Sequence, residues 1–372
     1  MDVTGLGARL ASARRQAGMT QAQLATIAHL DRSALAKIES GTRQVSALEL
    51  ARLATALDAR IEWFVGDEPA PLLSRRNMAE PGAPSPAVDA TVERISRGVL
   101  FVREHDPRLS ASAIEPKPFP TTLAECEALA VTVRDELGVG ADAPLDRLAE
   151  RGERLGLLTF SLDLGGSANA ADAATMLLDT GGVALINGQL KVGRRRLALA
   201  HEIGHFLVAD DYTVDWRIAA EQNAERREQR LDRFARALLL PAGAVRQQWD
   251  ALLRGPEGSL RTAAVKLASS YRVDMSTLAR RLQELNIVDG KAAGIVREVR
   301  TKKADIVDFD LVVSHELAPP ELPDSYIRAV LGLYRKETIS APRALDLLLD
   351  TWPVSELPDL PERAEQAIWQ YL

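Results

Sequence analysis

Apolar positions over the first sixty-odd residues recur at helical spacing. Leu6 and Leu10, Leu24 and Ile27, Leu35 and Ile38, and Leu48, Leu53 and Leu57 each give a short helix one inward stripe. Thr20 with Gln23 and Ser46 with Glu49 have the spacing of a capping box, and Asp31 stands where it can cap a third helix ending at Gly41. The pattern predicts five short helices around one small core over 4–66. It then dissolves into a Pro-, Ala- and Ser-rich stretch over 67–86, which reads as a linker. A helical stretch is expected over 87–105, and a second Pro-rich break over 116–120.

From 121 to 290 the periods mix. Helices are expected over 121–137 and 144–155 and strands over 157–162, 175–179 and 183–187; Thr180, Gly181 and Gly182 form a hairpin turn between the last two strands. Helices are expected again over 196–208 and 224–240, the second stopped by Pro241, followed by a helical pair over 259–286. The tail, 291–372, reads as an extended stretch over 304–313 and two or three helices between prolines. The domains expected are therefore 1–67 (all-α), 68–120 (a Pro-rich linker with one helix), 121–290 (α+β) and 291–372, a mixed C-terminal extension of unknown role.

Composition changes this picture little. With 46% hydrophobic and 26% charged residues, wholesale disorder is excluded. The net charge is -6, but residues 1–66 hold eight Lys/Arg against six Asp/Glu, so they carry +2 and the remainder -8. Any nucleic-acid contact is thereby expected in the N-terminal domain. Cys126, the one cysteine, excludes an internal disulfide and a Cys-based zinc cluster. The start lacks a signal-peptide pattern, and no apolar run approaches the roughly 18 residues of a membrane span, so a cytoplasmic protein with no membrane partner is expected.

The candidate chemistry begins at His201-Glu202-Ile203-Gly204-His205. On a helix, residues i and i+4 share a face, so both imidazoles can reach one ion, and Glu202 is placed to act on a water beside it. Catalytic zinc takes three protein ligands and leaves one position open. The other histidines are His29, His105 and His315, none of them six residues beyond His205, so a carboxylate is needed. Glu221, Glu225, Glu228 and Asp232 lie downstream; Glu228 shares the apolar face of Leu231, Phe234, Ala235 and Leu238. It can serve as the third ligand, with Asp232 orienting a histidine, or it can pair with Arg226, Arg227, Arg230 or Arg233.

The run 199–205 together with Glu228-Gln-Arg-Leu-Asp-Arg-Phe-Ala-Arg-Ala-Leu-Leu-Leu-Pro241 resembles the ImmA/IrrE metallopeptidase family. The likeness covers about 121–290; Leu231 and Asp232 stand where the family usually has Ala-Asn, and Leu240 where it has Met. It implies a zincin-like fold, Zn2+ held by His201, His205 and Glu228, and Glu202 as the acid–base residue of a metallo-endopeptidase. Tyr212 stays open as an oxyanion partner. Residues 263–270 and 276–285 look like a second helix-turn-helix pair, and the resemblance implies that they pack within the peptidase domain.

Residues 4–66, with Gly18, Thr20-Gln21 and the run Leu30 to Gly41, resemble the helix-turn-helix of Xre/Cro-like repressors. That resemblance implies Arg32, Ser33 and Lys37 on the helix entering the major groove, and Gln21 and Arg43 at phosphates. His29 stands where the family often has glycine, at a turn that needs a residue tolerating positive φ. The alternative is a domain kept for protein binding or dimerisation.

Together the resemblances imply a regulator that binds operator DNA and cleaves a repressor or other protein partner. Against it stands a non-proteolytic repressor or antitoxin whose peptidase-like domain senses a signal or binds a partner such as a toxin. Cleavage in cis of the linker after Asp67, and a homodimer, are also left open.

Overall fold

The computed structural model describes residues 3–16, 19–57, 64, 73–76, 86–109, 115–165, 172–208, 221–256, 258–311 and 313–360. Four helices open it: α1 (Val3–Gln16), α2 (Gln21–Ile27), α3 (Arg32–Glu39) and α4 (Ala47–Ala56). Both expected capping boxes form, at Thr20 with Gln23 and at Ser46 with Glu49. Asp31 takes the N-cap position of α3 but makes no side-chain cap bond. Leu6, Leu10, Leu24, Leu35, Ile38, Leu50, Leu53 and Leu57 close one core with Phe64. Two expected inward residues face out instead: Ile27 and Leu48 are 52% and 63% exposed. The fifth expected helix falls on residues outside those described, as does Gly18.

The second part is built on one mixed sheet. Its strands are β1 (Leu73–Arg76), β2 (Leu157–Leu162), β3 (Ala173–Leu177) and β4 (Gly182–Asn187), in the order β1-β3-β4-β2. The expected hairpin joins β3 to β4 antiparallel, β2 runs parallel to β4, and β1 runs antiparallel to β3. Side chains alternate between two buried faces. Leu157, Ala173, Ala184 and Ile186 enter one core; Leu158, Phe160, Ala174, Met176, Val183 and Leu185 enter another. Strands buried on both sides read as unbroken apolar runs, which is the pattern of Val183–Ile186.

The first face is covered by α6 (Leu123–Glu136), α7 (Leu148–Gly152), α8 (Val192–Leu207) and α9 (Glu221–Leu239). With them pack α10 (Ala242–Arg254), α11 (Leu260–Tyr271), α12 (Met275–Glu284) and α13 (Gly290–Glu298). The α11–α12 pair belongs to this core through Leu267, Tyr271, Leu278 and Leu282.

The second face needs its own cover, and the chain supplies it from both ends of the sheet domain. Val88, Val92, Ile95, Val99 and Val102 of α5 (Pro86–His105) pack there with Tyr326, Val330 and Leu333 of α15 (Asp324–Arg335) and Leu347 of α16 (Ala341–Leu347). The segment expected as a linker thus provides an edge strand and a packed helix, and the C-terminal extension closes the same core. Length and proline content concealed this, because neither reports which face of a distant sheet lacks a partner.

A correction concerns the stretch expected to be extended over 304–313, which holds helix α14 (Lys303–Asp308). Asp305 accepts a hydrogen bond from the Lys302 backbone N–H at 2.6 Å and pairs with Arg261 at 2.7 Å, so cap chemistry decides against the β-branched residues Ile306 and Val307. Among the described residues, no helix is long and apolar enough to cross a membrane.

Candidate metal centre

Helix α8 starts beyond Lys191 and is buried almost throughout, from Gly193 to Leu207 with Arg194 as the exception. The alternating Leu197-Ala-Leu-Ala200 favours helix and gives it apolar cover on all sides. Helix α9 lays Leu231, Phe234, Ala235 and Leu238 against it, all buried. Gly204 is where they come closest: a β-carbon there would sit 3.0 Å from the Phe234 ring and 3.2 Å from Leu231. The lack of a side chain between the two histidines lets α9 draw near enough to face them with a carboxylate.

That approach brings together three donor atoms from positions 201, 205 and 228. Nε2 of His201 lies 3.0 Å from Nε2 of His205 and 3.1 Å from Oε2 of Glu228, and His205 Nε2 lies 3.6 Å from the same oxygen. Tetrahedral zinc with bonds near 2.05 Å separates its ligands by about 3.3 Å, so the triangle is the right size for one ion. Its chemistry fits too. Two imidazole nitrogens pointing at each other need something between them other than two N–H hydrogens.

Asp232, one turn beyond Glu228, has Oδ1 2.9 Å from Nδ1 of His201. A hydrogen on Nδ1 donated to that carboxylate leaves Nε2 with its lone pair toward the triangle. Arg236 lies 3.7 Å from the other Asp232 oxygen. Both histidines are buried, whereas the Glu228 side chain is 40% exposed and marks the open side. Burial pushes the Glu228 carboxyl up, but its contacts with His201 and His205 outweigh burial and hold it below the ordinary carboxylate range. Glu202 is fully buried on α8 beside His201. Tyr212 lies outside the described residues.

Among the described residues, the ion pairs of Glu228 are with His201 and His205 and not with an arginine. Arg227 sits over the Phe119 ring at 4.3 Å and Arg233 pairs with Glu127 at 3.3 Å. Fully buried Arg196 binds Glu316 and the Leu145 carbonyl, tying α8 to the C-terminal segment. Arg281, also fully buried, holds Glu127 at 2.6 and 2.7 Å. These clamps and Gly204 were not singled out from sequence, where an arginine gives no sign of which backbone it will reach.

In the N-terminal domain His29 has φ of 54°, the left-handed turn expected between α2 and α3. Arg32, Ser33 and Lys37 are exposed on one side of α3, opposite buried Leu35 and Ile38. Gln21 and Arg43 are engaged internally: Gln21 donates to Glu39 at 2.8 Å, and Arg43 donates to Glu49 at 2.7 Å. Glu39 also takes Arg14 at 2.7 and 3.1 Å, joining α1, α2 and α3.

A helix-turn-helix family profile matches residues 10–64, and the profile of the IrrE N-terminal-like domain of M78 peptidases matches 152–283. The restriction-modification controller protein C.AhdI from Aeromonas hydrophila is 38% identical over 17% of this chain and 96% of its own, with a TM-score of 0.17. ComR from Streptococcus suis aligns over 94% of this chain and 95% of its own at 15% identity, with a TM-score of 0.17. No curated protein matches the chain. Residues 10–64 thus match a helix-turn-helix family, and residues 152–283 match the IrrE N-terminal-like domain family.

Proposed function

We propose that this protein is a DNA-binding transcriptional regulator whose second domain is a zinc-dependent endopeptidase acting on a protein partner. The observation that carries the enzymatic half is the His201, His205 and Glu228 triangle with Asp232 behind it. Zinc held there would supply a Lewis acid that polarises a peptide carbonyl and acidifies a water. Glu202 takes the proton from the attacking water and passes it to the leaving amine as the C–N bond breaks, giving a carboxylate and a free amine. Asp232 keeps His201 in the tautomer and rotamer that the site needs.

The DNA-binding half rests on the helix-turn-helix match and on the exposed side of α3. Arg32, Ser33 and Lys37 meet the major groove there. Gln21 and Arg43 reach phosphates by giving up or sharing their carboxylate partners, Glu39 and Glu49. A repressor-type protein is the substrate class the reading favours, and a homodimer on a two-fold operator is its simplest assembly.

The test has two arms. The zinc-loaded full chain is incubated with a randomised decapeptide library read by mass spectrometry, beside Glu202→Gln. Cleavage by the first and none by the second is expected; identical products, or none from either, sink the peptidase reading. In parallel, selection from genomic DNA fragments should enrich a discrete site with the native chain and not with Arg32→Ala.

A further inference from the structure

Strand β1 comes from the stretch between the two domains, yet it is the outermost member of the sheet on the β3 side. Leu73, Ser74, Arg75 and Arg76 pair antiparallel with Met176, Thr175, Ala174 and Ala173. Without those four residues, the outer edge of β3 would present unpaired N–H and C=O groups, the template on which an extended peptide adds as a new strand.

This edge runs alongside the helix that carries the two histidines. Helix α8 is pinned near the start of β3, where Arg194 donates to Asp172 at 2.7 and 3.0 Å. It is pinned again near the end of β3. There the Phe206 ring lies against Gly182, the partner of Leu177, so closely that a β-carbon on Gly182 would be 2.7 Å away. Helix and strand therefore run in the same direction. With a rise of about 1.5 Å per helical residue and about 3.3 Å per strand residue, His201 stands roughly level with Thr175. The β1 partner of Thr175 is Ser74, and β1 itself lies against α8.

We propose that residues 73–76 are a displaceable occupant, supplied in cis, of the track along the outer edge of β3 that an extended peptide partner would take. An added strand binds through its backbone, so the track recognises extended conformation first and side chains second. A tethered strand acts at an effective concentration of about millimolar, and an incoming peptide has to displace it. Displacement also releases β1, which lies in the chain between the helix-turn-helix domain and the rest of the sheet, and so couples occupancy of this edge to the DNA-binding half. The role given to the peptide rests on the peptidase reading above, but docking is measurable without turnover.

The experiment uses the zinc-loaded full chain carrying Glu202→Gln and a fluorescein-labelled peptide of residues 70–79. Its affinity is measured by anisotropy on that background and with Ser74→Pro or Arg75→Pro added. Adjacent residues alternate in donating to an antiparallel ladder, so one of the two prolines removes a pairing N–H. If the resident strand is docked nine-tenths of the time, releasing it tightens the peptide about tenfold. A gain of that order in at least one proline variant is expected. Affinities within twofold across all three proteins, or no binding by any, overturn the inference. Hydrogen exchange at 173–177 reads the same event in a variant that fails to load zinc: protection falls with the proline and returns with added peptide, and unchanged protection overturns the proposal. Peptide binding gained without cleavage of any substrate would leave this inference standing while the peptidase reading fails. Cleavage with no effect of the prolines would do the reverse.

Discussion

Asp232 Oδ1 lies 2.9 Å from Nδ1 of His201, one turn along α9 from the Glu228 carboxylate that faces Nε2 of the same ring. One imidazole is thus held from both sides by a single helix. Removing a carboxylate behind a ligating histidine typically costs 10- to 100-fold in metal affinity. Asp232→Asn should therefore keep the fold and lose zinc affinity by about that factor, measured by competition with a chromophoric chelator. Unchanged affinity would make the contact incidental.

Gly204 sets the distance between the two helices. A valine there meets Phe234 and Leu231 and should force α9 outward, at a cost of about 1–3 kcal/mol, lowering the melting temperature and weakening zinc binding together. Gly204→Ala should do less of both, since its β-carbon needs its neighbours to give by only a few tenths of an ångström. A Gly204→Val variant that binds zinc normally would show that helix spacing does not set the site.

The N-terminal domain separates fold from recognition. A β-carbon at Gly7 would sit 2.4 Å from the Ile38 carbonyl oxygen, so Gly7→Ala should unfold or loosen the α1–α3 contact and abolish DNA binding with it. Arg32→Ala should leave the melting curve unchanged and weaken the selected DNA about tenfold, or about 1–3 kcal/mol if it reads a base. Lys37→Ala is expected to weaken all sequences alike and to flatten the salt dependence if it meets a phosphate. Circular dichroism with a binding titration distinguishes these cases.

Acid stability should carry the mark of Asp106. A hydrogen bond from the Arg108 guanidinium, helped by the Arg108 backbone N–H and opposed by burial, holds its carboxyl at about 2 against an ordinary 3.8. A depressed carboxylate stabilises the fold above its unfolded value and loses that contribution as pH falls through the folded one. Asp106→Asn should melt below the wild type at pH 7, with the gap closing as pH falls through the window from 3.8 to about 2. A gap that stays constant to the bottom of that window would remove Asp106 from the account.

Local chemistry was the most legible part of the sequence. His201 and His205 could be paired because helical spacing fixes what shares a face, and capping boxes could be read because they involve neighbours. His29 was readable for the same reason, since a turn at that position demands one backbone conformation. Glu228, on another helix, was one of several acids that spacing left open, and only the family resemblance singled it out. What escaped was non-local. Nothing around Leu73 announces that it pairs with Met176, and the valines of α5 do not reveal that Tyr326 and Leu333 will meet them across the sheet. The engagement of Gln21 by Glu39 was likewise invisible, because it depends on how α2 and α3 cross. Residues 304–308 misled in the opposite direction: a β-branched run suggested strand, and the Asp305 cap settled helix.

The central claim is that His201, His205 and Glu228 hold one zinc ion per chain. Metal analysis of the purified protein with zinc-edge X-ray absorption tests it most directly. The account predicts one zinc, two imidazole nitrogens at about 2.0–2.1 Å with a carboxylate oxygen, and loss of the ion in Glu228→Ala. A stoichiometry near zero, or zinc retained undiminished by Glu228→Ala, would contradict it.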